Sequence, residues 1–290
     1  MNTTSPPRWT DVTIPGERPV RARLHSPAGT RSADRGGWLV WAHGGSWQRG
    51  SAAEWHPVTQ RLAALSGWRV LSVDYRLAPA HRHPAALEDV LTALDWARGR
   101  AGAESVPVAV GGDSAGGTLA AAAALAACDH RAAGPQRAPL AAQFLAYPPL
   151  DPACSGASHR RDPAAFPHPA DLRRAWRALR GTASPAPEAG GRVLYSTPLD
   201  APDLRGLPPA VLAVGGLDPV ADDVLGYAAR LRAAAVPVDL VHLPDTAHAD
   251  LLHPGSKLLT ALAERLRTVT VTVTVSAGPA RTLNPKESLR

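Results

Sequence analysis

The stretch Gly111-Gly112-Asp113-Ser114-Ala115-Gly116-Gly117 sets a serine among small residues, after the apolar run Val106–Val110 and before an alanine-rich segment reaching Ala127. It satisfies G-x-S-x-G in a strand–turn–helix setting, where the turn is so tight that the residues two positions either side of the serine must be small. Such a turn lifts the Ser114 hydroxyl out of the sheet at a helix N-terminus, where backbone N–H groups and the helix dipole favour a developing anion. This suits nucleophilic attack on an acyl carbon. A serine at its ordinary pKa is a weak nucleophile, so it needs a base, and the base needs an orienting carboxylate.

For a serine on this kind of turn, the carboxylate and then the imidazole come later in the chain. Asp218 lies just past the apolar run Pro209–Gly216, on a loop opened by Gly215-Gly216. Asp222 and Asp223 are rivals, but they fall at the start of the next helix, where acidic caps are expected on structural grounds. His248 sits in the loop after the strand pattern Val236–Leu243, with room for one helix and one strand between it and Asp218. His242 lies within that strand and His253 near the last helix, positions that suit surface or packing histidines. His43, His81 and His83 precede the serine and do not fit the order.

Acyl transfer also requires N–H donors preorganised around the tetrahedral oxyanion. Ala115, after the nucleophile, supplies one. The loop His43-Gly44-Gly45-Ser46-Trp47 follows the buried-strand pattern Trp38–Ala42, and the amides of Gly44 and Gly45 are unobstructed by side chains. Ser46 and Trp47 then stand where they can border the substrate.

These groups need a scaffold that brings loop ends together. Thr10–Gly16 and Val20–Gly29 read as opening strands. Trp38–Ala42, Trp68–Asp74, Val106–Gly112, Leu140–Tyr147, Pro209–Gly216 and Val236–Leu243 read as apolar strands. Between or after them stand helical patterns near Glu54–Leu65, Ala85–Ala97, the run to Ala127, Asp222–Ala235 and Ser256–Arg267. Continuous apolar strands alternating with amphipathic helices predict an α/β fold with a mostly parallel central sheet and helices on both faces. Residues 1–150 and 198–267 form the expected core. Residues 151–197 interrupt the rhythm, with one helical patch (Ala170–Leu179) and no strand pattern, and predict a small cap. Residues 268–290 are a C-terminal extension: Thr268–Val275 alternates like a strand and Ser276–Arg290 has the composition of a disordered tail.

Composition narrows the alternatives. A net charge of +6 and a pI near 10.0 invite a nucleic-acid partner. Yet the charge is almost all arginine, without a recognition motif, and its densest cluster, Arg173, Arg174, Arg177 and Arg180, has the spacing of a solvated helix face. No apolar run approaches the roughly 20 residues of a membrane span. Two cysteines are too few for a disulfide framework, and no signal region opens the chain, so a cytoplasmic setting is the default expectation. The strand at Val236–Leu243, near the sheet edge, offers a pairing surface for a homodimer.

Over roughly Val12 to Arg267 the chain resembles the bacterial branch of the hormone-sensitive-lipase-like carboxylesterases, which have the α/β-hydrolase fold. The similarity lies in "HGGSW", "DYRLAPAHRHPAALEDV" (Asp74–Val90), "GDSAGG", Tyr195–Asp223 and "HADLLH". It implies a serine ester hydrolase, without metal or organic cofactor, acting on small-molecule esters of short or medium acyl chains. The chain departs from the family's pattern with Ser46 in place of a common third glycine, Ala80 in place of glutamate, and Ala249-Asp250 after the histidine. Its N-terminus is short for the helical part of the family's cap, which implies a more open acyl pocket. HGG followed by a non-glycine and an aromatic also resembles arylformamidase-like hydrolases, an amide-cleaving alternative. A non-catalytic binding relative is the third reading, which the presence of His248 opposes.

Overall fold

The computed structural model describes residues 8–27, 36–128, 139–181, 186–189 and 192–269. Strands β1 (Arg8–Ile14) and β2 (Val20–Ser26) form an antiparallel hairpin. There follow β3 (Trp38–Ala42), α1 (His56–Ser66), β4 (Arg69–Asp74), α2 (Ala85–Glu104), β5 (Val108–Asp113), α3 (Ala115–Cys128) and β6 (Ala142–Ala146). The chain continues through α4 (Pro169–Arg180), β7 (Glu188–Ala189), β8 (Arg192–Val193), β9 (Ala210–Gly215), α5 (Ala221–Ala233), β10 (Val238–Leu243) and α6 (Lys257–Thr268).

Eight strands form one sheet in the order β1-β2-β4-β3-β5-β6-β9-β10, parallel from β4 to β10. β3, β5, β6 and β9 are buried along their whole length, which is why they read as unbroken apolar runs. From β3 the chain moves one way to β4, then reverses past β3 to β5. Right-handed crossovers therefore put α1 on one face and α2 and α3 on the other. α6 packs against α1, and α2 against α3, closing both faces. The reversal leaves a crevice at the carboxyl ends of β3 and β5, where ligands bind in open α/β sheets. Ala42 is paired with Gly112, so the glycine loop and the serine turn emerge side by side.

Several bounds differ from expectation. α1 begins at His56 because Ser51–Glu54 make their own turn, in which the Glu54 amide donates to the Ser51 hydroxyl (3.1 Å). α2 continues two turns past Ala97, through Gly99 and Gly102, where the apolar period fades before the hydrogen bonding does. The insertion contains α4, as expected, and also the two-residue ribbon β7–β8, too short to show alternation. On α4, Arg174 and Arg177 are exposed, but Arg180 is half-buried and donates to Ser196 Oγ (2.8 Å) and Asp200 Oδ2 (2.6 Å), so the solvated-face reading fits only part of the cluster. Among the described residues β10 is one edge strand of the sheet and β1 the other. No helix among the described residues is long and apolar enough to cross a membrane. The alternating segment from Thr270 onward, and residues 276–290, lie outside the described residues.

Candidate active site

Ser114 stands between β5 and α3 with φ 50°, a left-handed backbone that few L-residues adopt and that marks a strained turn. The turn closes only because Gly112 and Gly116 stack directly: a Cβ on Gly116 would collide with the Ala42 carbonyl, and one on Gly112 with Gly116 itself. The Ser114 amide donates to the Ala146 carbonyl of the neighbouring strand end (2.9 Å), which anchors the turn on β6.

Asp218 and His248 follow the carboxyl ends of β9 and β10, and their loops are stitched together. The Gly216 amide donates to the Leu243 carbonyl (2.7 Å) and the Leu217 amide to that of Thr246 (3.0 Å). The Ser114 hydroxyl lies 2.9 Å from His248 Nε2, and His248 Nδ1 lies 2.8 Å from Asp218 Oδ2. The other Asp218 oxygen, Oδ1, accepts from the Val220 amide (3.0 Å), so the carboxylate has a fixed direction. Tyr147, at the end of β6, packs its ring 4.7 Å from the imidazole. The three sequence-predicted side chains thus meet in hydrogen-bonding succession, the carboxylate fully buried and the serine half-buried.

The loop after β3 is held from below by aromatic side chains. His43 is buried, stacks on Tyr75 (4.2 Å) and approaches the Gly44 carbonyl through Nδ1 (2.7 Å), while the Tyr75 hydroxyl donates to the His43 carbonyl (2.8 Å). Burial holds the His43 imidazole below its usual pKa, which favours the neutral ring. Gly45 has φ 110° and sits against the Arg49 carbonyl, so only glycine fits there. Ala115 opens α3, where its N–H has no intrahelical acceptor. Gly44 packs against the buried Asp113 carboxylate, where a Cβ would meet Oδ2, and its amide is among the groups that favour the charged form of that carboxyl. One expectation for this loop changes. Trp47 is fully buried beneath the turn, its indole N–H donating to the Ala115 carbonyl (3.0 Å), so it braces the turn and does not border the substrate. Ser46 is half-exposed at the loop's crest.

Asp113, beside the nucleophile, is the site residue that motif reasoning passed over. It is buried, and its oxygens accept from the indoles of Trp41 (3.1 Å) and Trp55 (2.9 and 3.0 Å). Burial nevertheless pushes its carboxyl up to about 6. The rival acids have another task. Asp223 accepts from the amides of Leu150 (2.8 Å) and Asp151 (2.9 Å) and meets His159 Nε2 (3.1 Å), while Asp222 accepts from the Ser158 amide (2.8 Å). They moor the insertion, a different job from capping α5. His242 and His253 are exposed, and His83 is buried with Nε2 on the Leu194 carbonyl (2.7 Å). A cavity of about 360 Å³ touches His248, but residues 243–257 wall it without Ser114, so it lies on the outer side of the base loop. Among the described residues no group of three or more His, Cys, Asp or Glu could hold a metal ion.

Comparison with known proteins bears on the family. Residues 39–252 match a family described as the alpha/beta hydrolase fold. The chain is 37% identical over 258 residues to the carboxylic ester hydrolase LipN of Mycobacterium tuberculosis, covering 83% of this chain and 64% of that protein. It is 34% identical over 261 residues to the esterase LipI of the same organism, covering 86% and 76%. Among solved structures it is similar to esterase LipW from Mycobacterium marinum, with a TM-score of 0.76, 31% identity, and coverage of 90% of this chain and 81% of that one. This chain therefore spans just under two thirds of LipN and about three quarters of LipI. On fold, motifs and relatives together, the chain belongs to the hormone-sensitive-lipase-like carboxylesterase family of α/β-hydrolases.

Proposed function

We propose that this protein is a serine carboxylesterase that hydrolyses small-molecule esters with short to medium acyl chains through an acyl-enzyme. The observation that carries the reading is the unbroken contact from Ser114 Oγ to His248 Nε2 and from His248 Nδ1 to Asp218. With the proton on Nδ1 held by Asp218, Nε2 accepts the Ser114 proton as Oγ attacks the acyl carbon. The imidazolium then returns that proton to the departing alcohol oxygen. Water, deprotonated in its turn by Nε2, releases the acid and restores the serine. The amides of Gly45 and Ala115 are the donors we assign to the oxyanion. Gly44, expected among them, precedes Gly45 on the same loop and packs against Asp113. Ser46 offers its hydroxyl at the edge of the site.

Residues 151–197 act as a cap over this centre, moored through Asp222 and Asp223. The free thiols of Cys128 and Cys154 support a reduced, cytoplasmic setting, and the outer strand β10 is the surface along which a second copy would pair.

Hydrolysis of p-nitrophenyl acetate and butyrate by the parent and by Ser114→Ala tests the reading. By analogy with a protease series, the variant should lose on the order of 10⁶ in kcat. Parent-like turnover by the variant overturns it. Ser46 in place of a third glycine also fits a formamide hydrolase, and rates on a matched ester and anilide separate the two.

A further inference from the structure

Residues 158–167 of the insertion reach the triad from outside the hydrolase core, and their path is fixed at both ends. At one end the Ser158 hydroxyl donates to the Pro219 carbonyl (2.7 Å), and the Arg161 guanidinium donates to the Gly216 carbonyl. Both acceptors lie on the loop that carries Asp218. At the other end α4 begins, with the His168 ring accepting from the Ala170 amide, and Trp176 of α4 packs on Trp47 at 4.4 Å between ring centroids. Between these anchors Phe166 sets its ring edge-on to the His248 imidazole, 5.6 Å between centroids and 68° between planes.

Phe166 nevertheless stays 56% exposed. An apolar ring held in place beside the base, yet left largely in water, has a free face for another apolar group. Among the described residues only five large hydrophobic side chains are exposed, and Phe166 is the one whose ring meets the base.

The position beside the imidazole has a chemical meaning. Nε2 must come within hydrogen-bonding distance of the departing alcohol oxygen to protonate it, so the wall at the imidazole flanks the alcohol half of the ester. We propose that Phe166 is the apolar wall of the leaving-group side of the site and selects esters of bulky, apolar, especially aryl-bearing alcohols. The inference rests on the serine-esterase reading above and adds the alcohol half of the substrate to it.

Two ester series test it. One varies the alcohol at nearly constant acidity (methyl, propyl and 3-phenylpropyl acetate). The other varies the acyl chain (methyl acetate, butyrate and hexanoate). Phe166→Ala should lower kcat/KM for 3-phenylpropyl relative to propyl acetate by about tenfold, and keep the ratios of the acyl series within about twofold. Phe166→Leu should restore most of the alcohol preference. An equal fall across both series, or a change confined to the acyl series, overturns the assignment. If the parent turns over no ester, the esterase reading fails and Phe166 falls with it. Intact turnover with an unchanged alcohol preference in Phe166→Ala overturns this inference alone.

Discussion

The indole N–H of Trp47 donates to the carbonyl of Ala115 at 3.0 Å, tying the glycine loop after β3 to the first residue after the nucleophile. This bond joins the pairing of Ala42 with Gly112 in fixing the distance between the two stretches of backbone that we assign to the oxyanion. Trp47→Phe keeps a ring against Trp176 but removes the donor and part of a fully buried ring system. We expect kcat on p-nitrophenyl acetate to fall about tenfold with KM little changed, and stability to fall by about 2–3 kcal/mol, from the lost hydrogen bond together with the cavity left in the core. An unaltered kcat would show that the loop keeps its place without this bond.

The two acidic positions near β9 should separate cleanly. Asp218→Asn leaves the imidazole without its orienting carboxylate, and by analogy with a protease triad kcat should fall on the order of 10⁴. Asp223→Asn instead disturbs three contacts that moor the insertion. Urea unfolding should show a loss of about 2–3 kcal/mol, while the folded fraction keeps its turnover. Reversal of these two phenotypes would exchange the roles we assign.

At Gly45 any side chain meets the Arg49 carbonyl, and φ 110° is hostile to L-residues. Gly45→Ala should move the amide off the oxyanion position and lower kcat by about 10²–10³, the cost of one lost donor. Steady-state kinetics on the folded variant, with secondary structure checked by circular dichroism, decide the point.

Asp113 makes stability depend on pH in an unusual direction. Burial raises its carboxyl from an ordinary 3.8 to about 6, against the pull of the Trp55 and Trp41 indoles. Between those values the folded chain keeps a proton that the unfolded chain has released. The stabilisation is therefore complete below 3.8 and lost as pH rises through about 6. A shift of this size corresponds to about 3 kcal/mol. Denaturant unfolding at about pH 4 and pH 7 should show the parent losing about that much relative to Asp113→Asn, which carries no such proton. Parallel pH profiles for the two proteins would rule the effect out.

Chemistry carried at strand ends was legible in the sequence. β3, β5, β9 and β10 each run straight into a loop bearing a site residue, and the order serine, carboxylate, imidazole leaves little freedom. Partners far apart in the chain were not legible. Trp41 and Trp55 reach Asp113 across 72 and 58 residues, and no spacing pairs an indole with a carboxylate. Tyr147 closes a strand whose carboxyl end faces the same crevice, a signal that could have marked it. Asp222 and Asp223 look like first-turn acids of a helix. Their true acceptors' role depends on the route of the insertion, a proline-rich segment without apolar period. The same holds for Trp47, whose aromatic type suggested a substrate contact while its burial serves the turn.

Mooring the segment between β6 and β9 through side chains of the core has a practical corollary for chimaeras. A segment exchanged at residues 151 and 197 alone would strip Asp223 of its His159 partner and leave Asp222 facing a foreign backbone. A workable cassette must transplant the incoming strap together with its docking site on residues 216–223, as one matched unit. The two segments are heritable only as a pair.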